Sequence, residues 1–192
     1  MQLRVAVPQA LAGAALGPVL DNFHNQFGVL AYDAYQIEVG PVRSALWVPP
    51  LFAAASVIIG AIALTDDQDA TPNPAPAIAL FVALYWLSGY LAATAPTLTW
   101  LLWPLAIALW RACDPCAATL LASVATAVAG PAVEIWLTGA GGLFEEPFGH
   151  LYHYTHPDFC GVDSWVPAVY FAGGTPVGLL ARYFNASSQR IF

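Results

Sequence analysis

Lysine is missing altogether from this 192-residue chain, and its five basic residues are all arginine. Charged residues make up only 9%, against roughly a quarter in an ordinary soluble domain. Five scattered arginines cannot build the clustered basic footprint that a nucleic-acid partner requires. Cysteine is also scarce. Cys113, Cys116 and Cys160 are an odd number, and the lone CxxC at 113–116 implies neither a disulfide framework nor a structural zinc site, which would need a second pair. The sequence contains no Gly-rich phosphate loop, no GxSxG elbow and no HExxH, so it argues against ordinary soluble catalysis and implies no cofactor.

What remains is apolar. Hydrophobic residues make up 59% of the chain and mean hydropathy is +0.64. They stand in long blocks separated by short polar clusters, the pattern of a membrane domain. Six blocks approach the roughly 20 residues that a helix needs to cross a bilayer: 3–20, 45–65, 76–95, 97–112, 117–138 and 165–183. The expected fold is an all-α polytopic bundle of six transmembrane helices in one domain, 1–192. Only Ala95-Pro96-Thr97 separates the third block from the fourth, and one kinked helix there would reduce the count to five. Arg4 followed by Val5–Leu20 weakly resembles a signal peptide but lacks a cleavage site before Asp21, so it reads as a first span.

With six spans, Arg4, Arg111, Arg182 and Arg190 fall on one side and Arg43 on the other, which predicts cytosolic termini. The acidic run Asp66-Asp67-Gln68-Asp69 joins the cytosolic side as a solvated loop, followed by a proline-rich connector at 70–76. Loops 21–44 and 139–164, the longest and most aromatic, face the opposite side.

Several residues invite a functional reading. Glu134 lies inside an apolar block, where an isolated charge costs several kcal/mol; it must sit near the interface, be protonated, or be partnered. Such an acid can hydrogen-bond a sterol hydroxyl or a lipid headgroup. Gly173, Gly174 and Gly178 suit close helix packing or, with Pro176, a lipid-sized gap. Trp47 and Trp165 stand at span starts, where an indole anchors at the interface and can border a lipid site. Pro49, Pro50 and Pro167 are devices of first helical turns. His150, His153 and His156 could in principle hold a metal with Glu145, Glu146, Asp158 and Cys160, but a structural loop is the plainer reading and no metal is assigned.

The closing segment, Tyr152-His153-Tyr154-Thr155-His156-Pro157-Asp158-Phe159, Ser164-Trp165-Val166-Pro167 and Phe171-Ala172-Gly173-Gly174-Thr175-Pro176-Val177-Gly178 with Arg182, resembles the end of the Insig family. Leu46-Trp47-Val48-Pro49-Pro50 resembles the start of that family's second helix, and Trp110-Arg111-Ala112-Cys113-Asp114 the end of its fourth. The resemblance implies a sterol- or lipid-sensing regulator of the endoplasmic-reticulum membrane, or of the plasma membrane in a bacterium. It also implies partners with a sterol-sensing domain, such as Scap or the reductase of sterol synthesis, and marks Asp114 for partner binding. The acidic, aromatic loop 21–42, the extra residues 139–150 and the Cys113-Asp114-Pro115-Cys116 context depart from the family pattern. The alternative is an integral-membrane lipid enzyme, such as an isomerase, with Glu134 as acid or base and His24, His150 or His153 beside it.

Overall fold

A computed structural model describes residues 1–65, 72–92, 98–139 and 151–189. The acidic run from Asp66, the Ala95-Pro96-Thr97 break, His150 with Glu145 and Glu146, and Arg190 lie outside the described residues.

The expected six helices are present: α1 (Leu3–Gln26), α2 (Val48–Ala63), α3 (Ala75–Ala92), α4 (Leu98–Cys113), α5 (Ala117–Leu137) and α6 (Val166–Gln189). α3 and α4 are separate helices, which removes the five-span alternative. By length and composition α1, α3 and α5 can cross a membrane. α2 and α4, at 16 residues each, rise only about 24 Å. Pro49 and Pro50 occupy the first turn of α2, where the missing N–H costs no intrahelical bond. Cys116 caps α5, its sulfur accepting from the Thr119 backbone N–H at 3.4 Å.

α6 is the hub. It packs against each of the other five helices and is buried along most of its length, through Val166, Phe171, Ala172, Leu179 and Ala181 among others. Around it the apolar surface faces outward, through Leu11 and Val19 of α1, Ile58 of α2, Leu80 of α3, Leu105 of α4 and Val128 of α5. An apolar exterior needs lipid. Trp86, Tyr90, Trp100 and Trp136 are exposed near helix ends on one side of the bundle, the side of residues 27–47 and 151–165, as interfacial indoles and phenols should be.

Two features differ from the expected bounds and content of the elements. α1 does not stop at 20 but continues to Gln26, carrying Asp21, Asn22 and His24 into the structure. The loop side also contains four three-residue strands in two antiparallel pairs. β1 (Leu30–Tyr32) pairs with β4 (Tyr152–Tyr154), with Leu30 opposite Tyr154 and Tyr32 opposite Tyr152; β2 (Ile37–Val39) pairs with β3 (Val42–Ser44). Gly40, at φ 58°, supplies the left-handed residue between β2 and β3.

Candidate functional site

The last turns of α1 explain why polar residues belong to a helix here. Backbone and side-chain polar groups near lipid must find partners within the protein, and each of these does. Asn22 accepts from the Arg43 backbone N–H at 3.0 Å and donates to the Pro41 carbonyl at 3.1 Å, which fixes the β2–β3 hairpin. Asp21 accepts from the Tyr32 hydroxyl and, at 3.4 Å, from that of Tyr85 on α3. His24 Nε2 lies 2.9 Å from Ser88 Oγ, with its ring stacked on Tyr85 at 4.3 Å and edge-on to Trp165 at 5.2 Å.

Glu134, one turn before the end of α5, is the second carboxylate of this cage. Tyr154 of β4 donates to Oε2 at 2.5 Å and Tyr170 of α6 donates to Oε1 at 2.6 Å. Of the possibilities the sequence left open, two are observed together: Glu134 is partnered, and it lies one turn from the end of its helix. A carboxylate has about four acceptor positions, so two remain for another donor. The phenols are built to donate. Burial, and then the charge of Glu134, push the Tyr152 and Tyr154 hydroxyls well above the usual range for a phenol; burial and the charge of Asp21 do the same to Tyr32. What this arrangement offers is a half-buried acceptor for a neutral O–H or N–H, bordered by aromatic rings.

Trp47 and Trp165 belong to this cage rather than to the lipid boundary. Trp165 is only 5% exposed, and Trp47 is partly buried against Tyr32 at 5.8 Å and Tyr152 at 5.7 Å. The histidines are dispersed. His24 bonds Ser88 and not Glu134; His153 is exposed and lies 3.6 Å from Asp33; His156 is exposed. Among the described residues no three metal-ligating side chains converge.

Just before α6, Asp158 accepts from the Ser164 backbone N–H at 2.6 Å and from its hydroxyl at 2.8 Å, while Asp163 is buried beside it. Burial, with the Asp158 charge, raises the Asp163 carboxyl to about 7. The folded chain thus retains a proton that the unfolded chain releases near pH 4. That stabilisation is complete below about pH 4 and is lost as pH rises through about 7. Asp163→Asn should therefore melt above wild type at pH 8 in detergent, with the gap closing at pH 4.5. Equal midpoints at pH 8 would contradict it.

At the opposite end, Asp114 is buried. Its carboxylate accepts from Arg182 of α6 and from the Thr119 hydroxyl, and the same guanidinium reaches Cys116 Sγ at 3.3 Å and Thr119 Oγ1 at 3.3 Å. The CxxC is thus a helix connector that locks α4 and α5 onto α6.

Comparison with known proteins follows from this geometry. The chain superimposes with a TM-score of 0.81 on a mycobacterial Insig homologue, MvINS from Mycobacterium vanbaalenii, at 24% identity over 97% of this chain and 96% of that one. A cross-linked MvINS trimer gives a TM-score of 0.80 at 25% identity, again over 97% and 96% of the two chains. In sequence, the Insulin-induced gene 1 protein of Xenopus laevis is 28% identical over 156 residues, 76% of this chain and 59% of that protein. The human protein of the same name is 28% identical over 149 residues, 72% of this chain and 50% of its own. The chain is Insig-like in sequence and in fold. It spans a little over half the length of the curated relatives it matches. No family model matches it.

Within this Insig-like bundle the singled-out glycines face three different helices. A β-carbon on Gly173 would meet the Phe81 ring of α3 at 3.1 Å, one on Gly174 the Ser123 backbone of α5 at 2.5 Å, and one on Gly178 the Ala63 methyl of α2 at 2.8 Å. Protein fills the space at each, so these positions pack the hub and do not open a gap. Asp114 points inward to Arg182 and does not present its carboxylate at the surface. Sequence reasoning missed Asp21, Tyr32, Tyr85, Tyr154, Tyr170 and the fully buried Gln9, which donates to the Ser56 and Val177 carbonyls and so ties α1 to α2 and α6. An amide inside an apolar block was the available signal for Gln9; nothing in the sequence marked Asp21, just past the first block, or paired the tyrosines with their acids.

Proposed function

We propose that this chain is a lipid- or sterol-sensing membrane regulator, acting as one Insig-like transmembrane domain over residues 1–192. The observation that carries the reading is Glu134, held inside the bundle by two tyrosine hydroxyls with acceptor capacity left over. That is the chemistry for recognising a ligand's hydroxyl. Ligand affinity that differs between two arrangements of the bundle would then bias a partner's binding. The partners proposed are membrane proteins with a sterol-sensing domain, of the Scap or sterol-synthesis reductase kind, engaging the end of the bundle organised by Asp114. Placement in the endoplasmic-reticulum membrane with cytosolic termini, or in a bacterial plasma membrane, belongs to the same proposal. Arg182 is consumed by Asp114, so Arg4 and Arg111, against Arg43, now support the orientation among the described residues.

Enzymatic isomerisation is the weaker reading, because no described histidine is bonded to Glu134, the pairing that reading needs. The test is binding of radiolabelled oxysterol, cholesterol and diacylglycerol to detergent-purified protein. Saturable binding of at least one, weakened about tenfold in Glu134→Gln by loss of a hydrogen bond to a charged acceptor, is the expected result. Failure of all three to bind would remove the sensing reading.

A further inference from the structure

The two donors to Glu134 differ in how firmly they are held. Tyr170 belongs to the hub helix, and its ring lies so close over Gly130 that a β-carbon there would stand 2.2 Å from Cδ1. The missing side chain at 130 makes the seat for that ring. Tyr154 instead comes from β4, whose ladder partner among the described residues is β1. β1 is itself anchored: it follows α1 through the Val29 N–H bond to the His24 carbonyl at 2.8 Å, and Tyr32 ties it to Asp21. β4 is fastened to the bundle end by Tyr154 and by the Leu151 N–H bond to Leu137 at 3.2 Å, and to the β1 side by the Thr155 N–H bond to Val29 at 2.9 Å.

We infer that the Tyr154–Glu134 hydrogen bond is a displaceable latch: a ligand hydroxyl that reaches Oε2 replaces Tyr154, Tyr170 stays on Oε1, and β4 loosens while β1 stays tied to Asp21. The exchange substitutes one neutral donor for another at a single acceptor. No charge is created and the carboxylate keeps its donor, while the phenol of Tyr154, only 5% exposed when latched, meets water as β4 loosens. Occupancy inside the bundle is thereby transmitted to the loop surface. The inference rests on the lipid-sensing reading and specifies its regulation.

Hydrogen exchange on the detergent-purified full chain, followed over residues 151–164, tests both. Tyr154→Phe keeps the ring and deletes the donor; amides of Leu151 and Thr155 should exchange about tenfold faster, with α5 and α6 unchanged. Tyr170→Phe should leave those two amides within about twofold of wild type. Saturating 25-hydroxycholesterol or 1,2-dioleoylglycerol should reproduce the Tyr154→Phe rates in wild type and add nothing to that variant. A Tyr154→Phe ribbon that exchanges like wild type, or a probe that binds saturably without moving the ribbon, overturns the latch while leaving the sensing reading intact. A loosened Tyr154→Phe ribbon with no binding of either probe or of cholesterol overturns the sensing reading, and with it the ligand that would work the latch.

Discussion

Replacing Arg182 by methionine should lower the stability of the detergent-solubilised protein by about 3–5 kcal/mol, the cost of stranding a buried carboxylate. Asp114 and Arg182 have side chains 8% and 7% exposed, and they join residues 68 positions apart. Removing the guanidinium leaves Asp114 with the Thr119 hydroxyl as a donor, and takes a donor from Cys116 as well. The informative control is the double variant Asp114→Leu/Arg182→Met. A buried ion pair replaced by apolar groups is often neutral, so the double variant should recover roughly half or more of the loss. Unfolding midpoints in denaturant measure both. A single variant as stable as wild type would show the pair to be solvated, and a double variant no better than the single would place the cost in packing instead of charge. The same comparison bears on Asp114 as a partner residue: if a partner's binding survives in the double variant, the carboxylate serves the shape of the α4–α5 turn.

The parts of this architecture legible in the sequence are those written in local composition. Long apolar blocks announce six helices because a bilayer demands continuous apolar length, and Glu134 was conspicuous because an acid in such a block needs a reason. The ribbon was not legible: strands of three residues such as Leu30-Ala31-Tyr32 carry too few alternations to separate from loop. Nor was the end of α1, since Asp21, Asn22 and His24 read as a solvated boundary until Tyr85 and Ser88, 64 positions later, cover two of them. Trp47 and Trp165 followed the rule for interfacial indoles, but Trp47 is drawn inward by Tyr32 and Tyr152 of the strands and Trp165 lies edge-on to His24, and Arg182 was counted toward the orientation although its carboxylate partner lies between α4 and α5. Pairings of distant residues, unlike helix-forming composition, leave no periodic trace in a single chain.

Those pairings also rank what substitutions at the hub will do. An alanine scan of Gly174, Gly178 and Gly173 should destabilise in that order, because the obstacles differ in kind. At Gly174 the new carbon meets Ser123 Cα and backbone N at 2.5 and 2.7 Å, so α5 and α6 must move apart along their shared length. At Gly178 it meets the Ala63 methyl at 2.8 Å, rigidly attached but confined to one point of α2. At Gly173 it meets the tip of the Phe81 ring at 3.1 Å, which can rotate away, so the gain of up to about 1 kcal/mol in helix propensity can offset the contact. Gly174→Leu, with three more carbons against the same backbone, should cost at least about 3 kcal/mol, the upper end of ordinary overpacking. Thermal unfolding across the series checks the order; a Gly174→Leu protein that melts within a few degrees of wild type would mean that α5 and α6 are not in backbone contact. If the order holds, any loss of binding in Gly174→Leu comes through the fold, and Glu134→Gln remains the variant that tests the hydrogen bond proposed for a ligand.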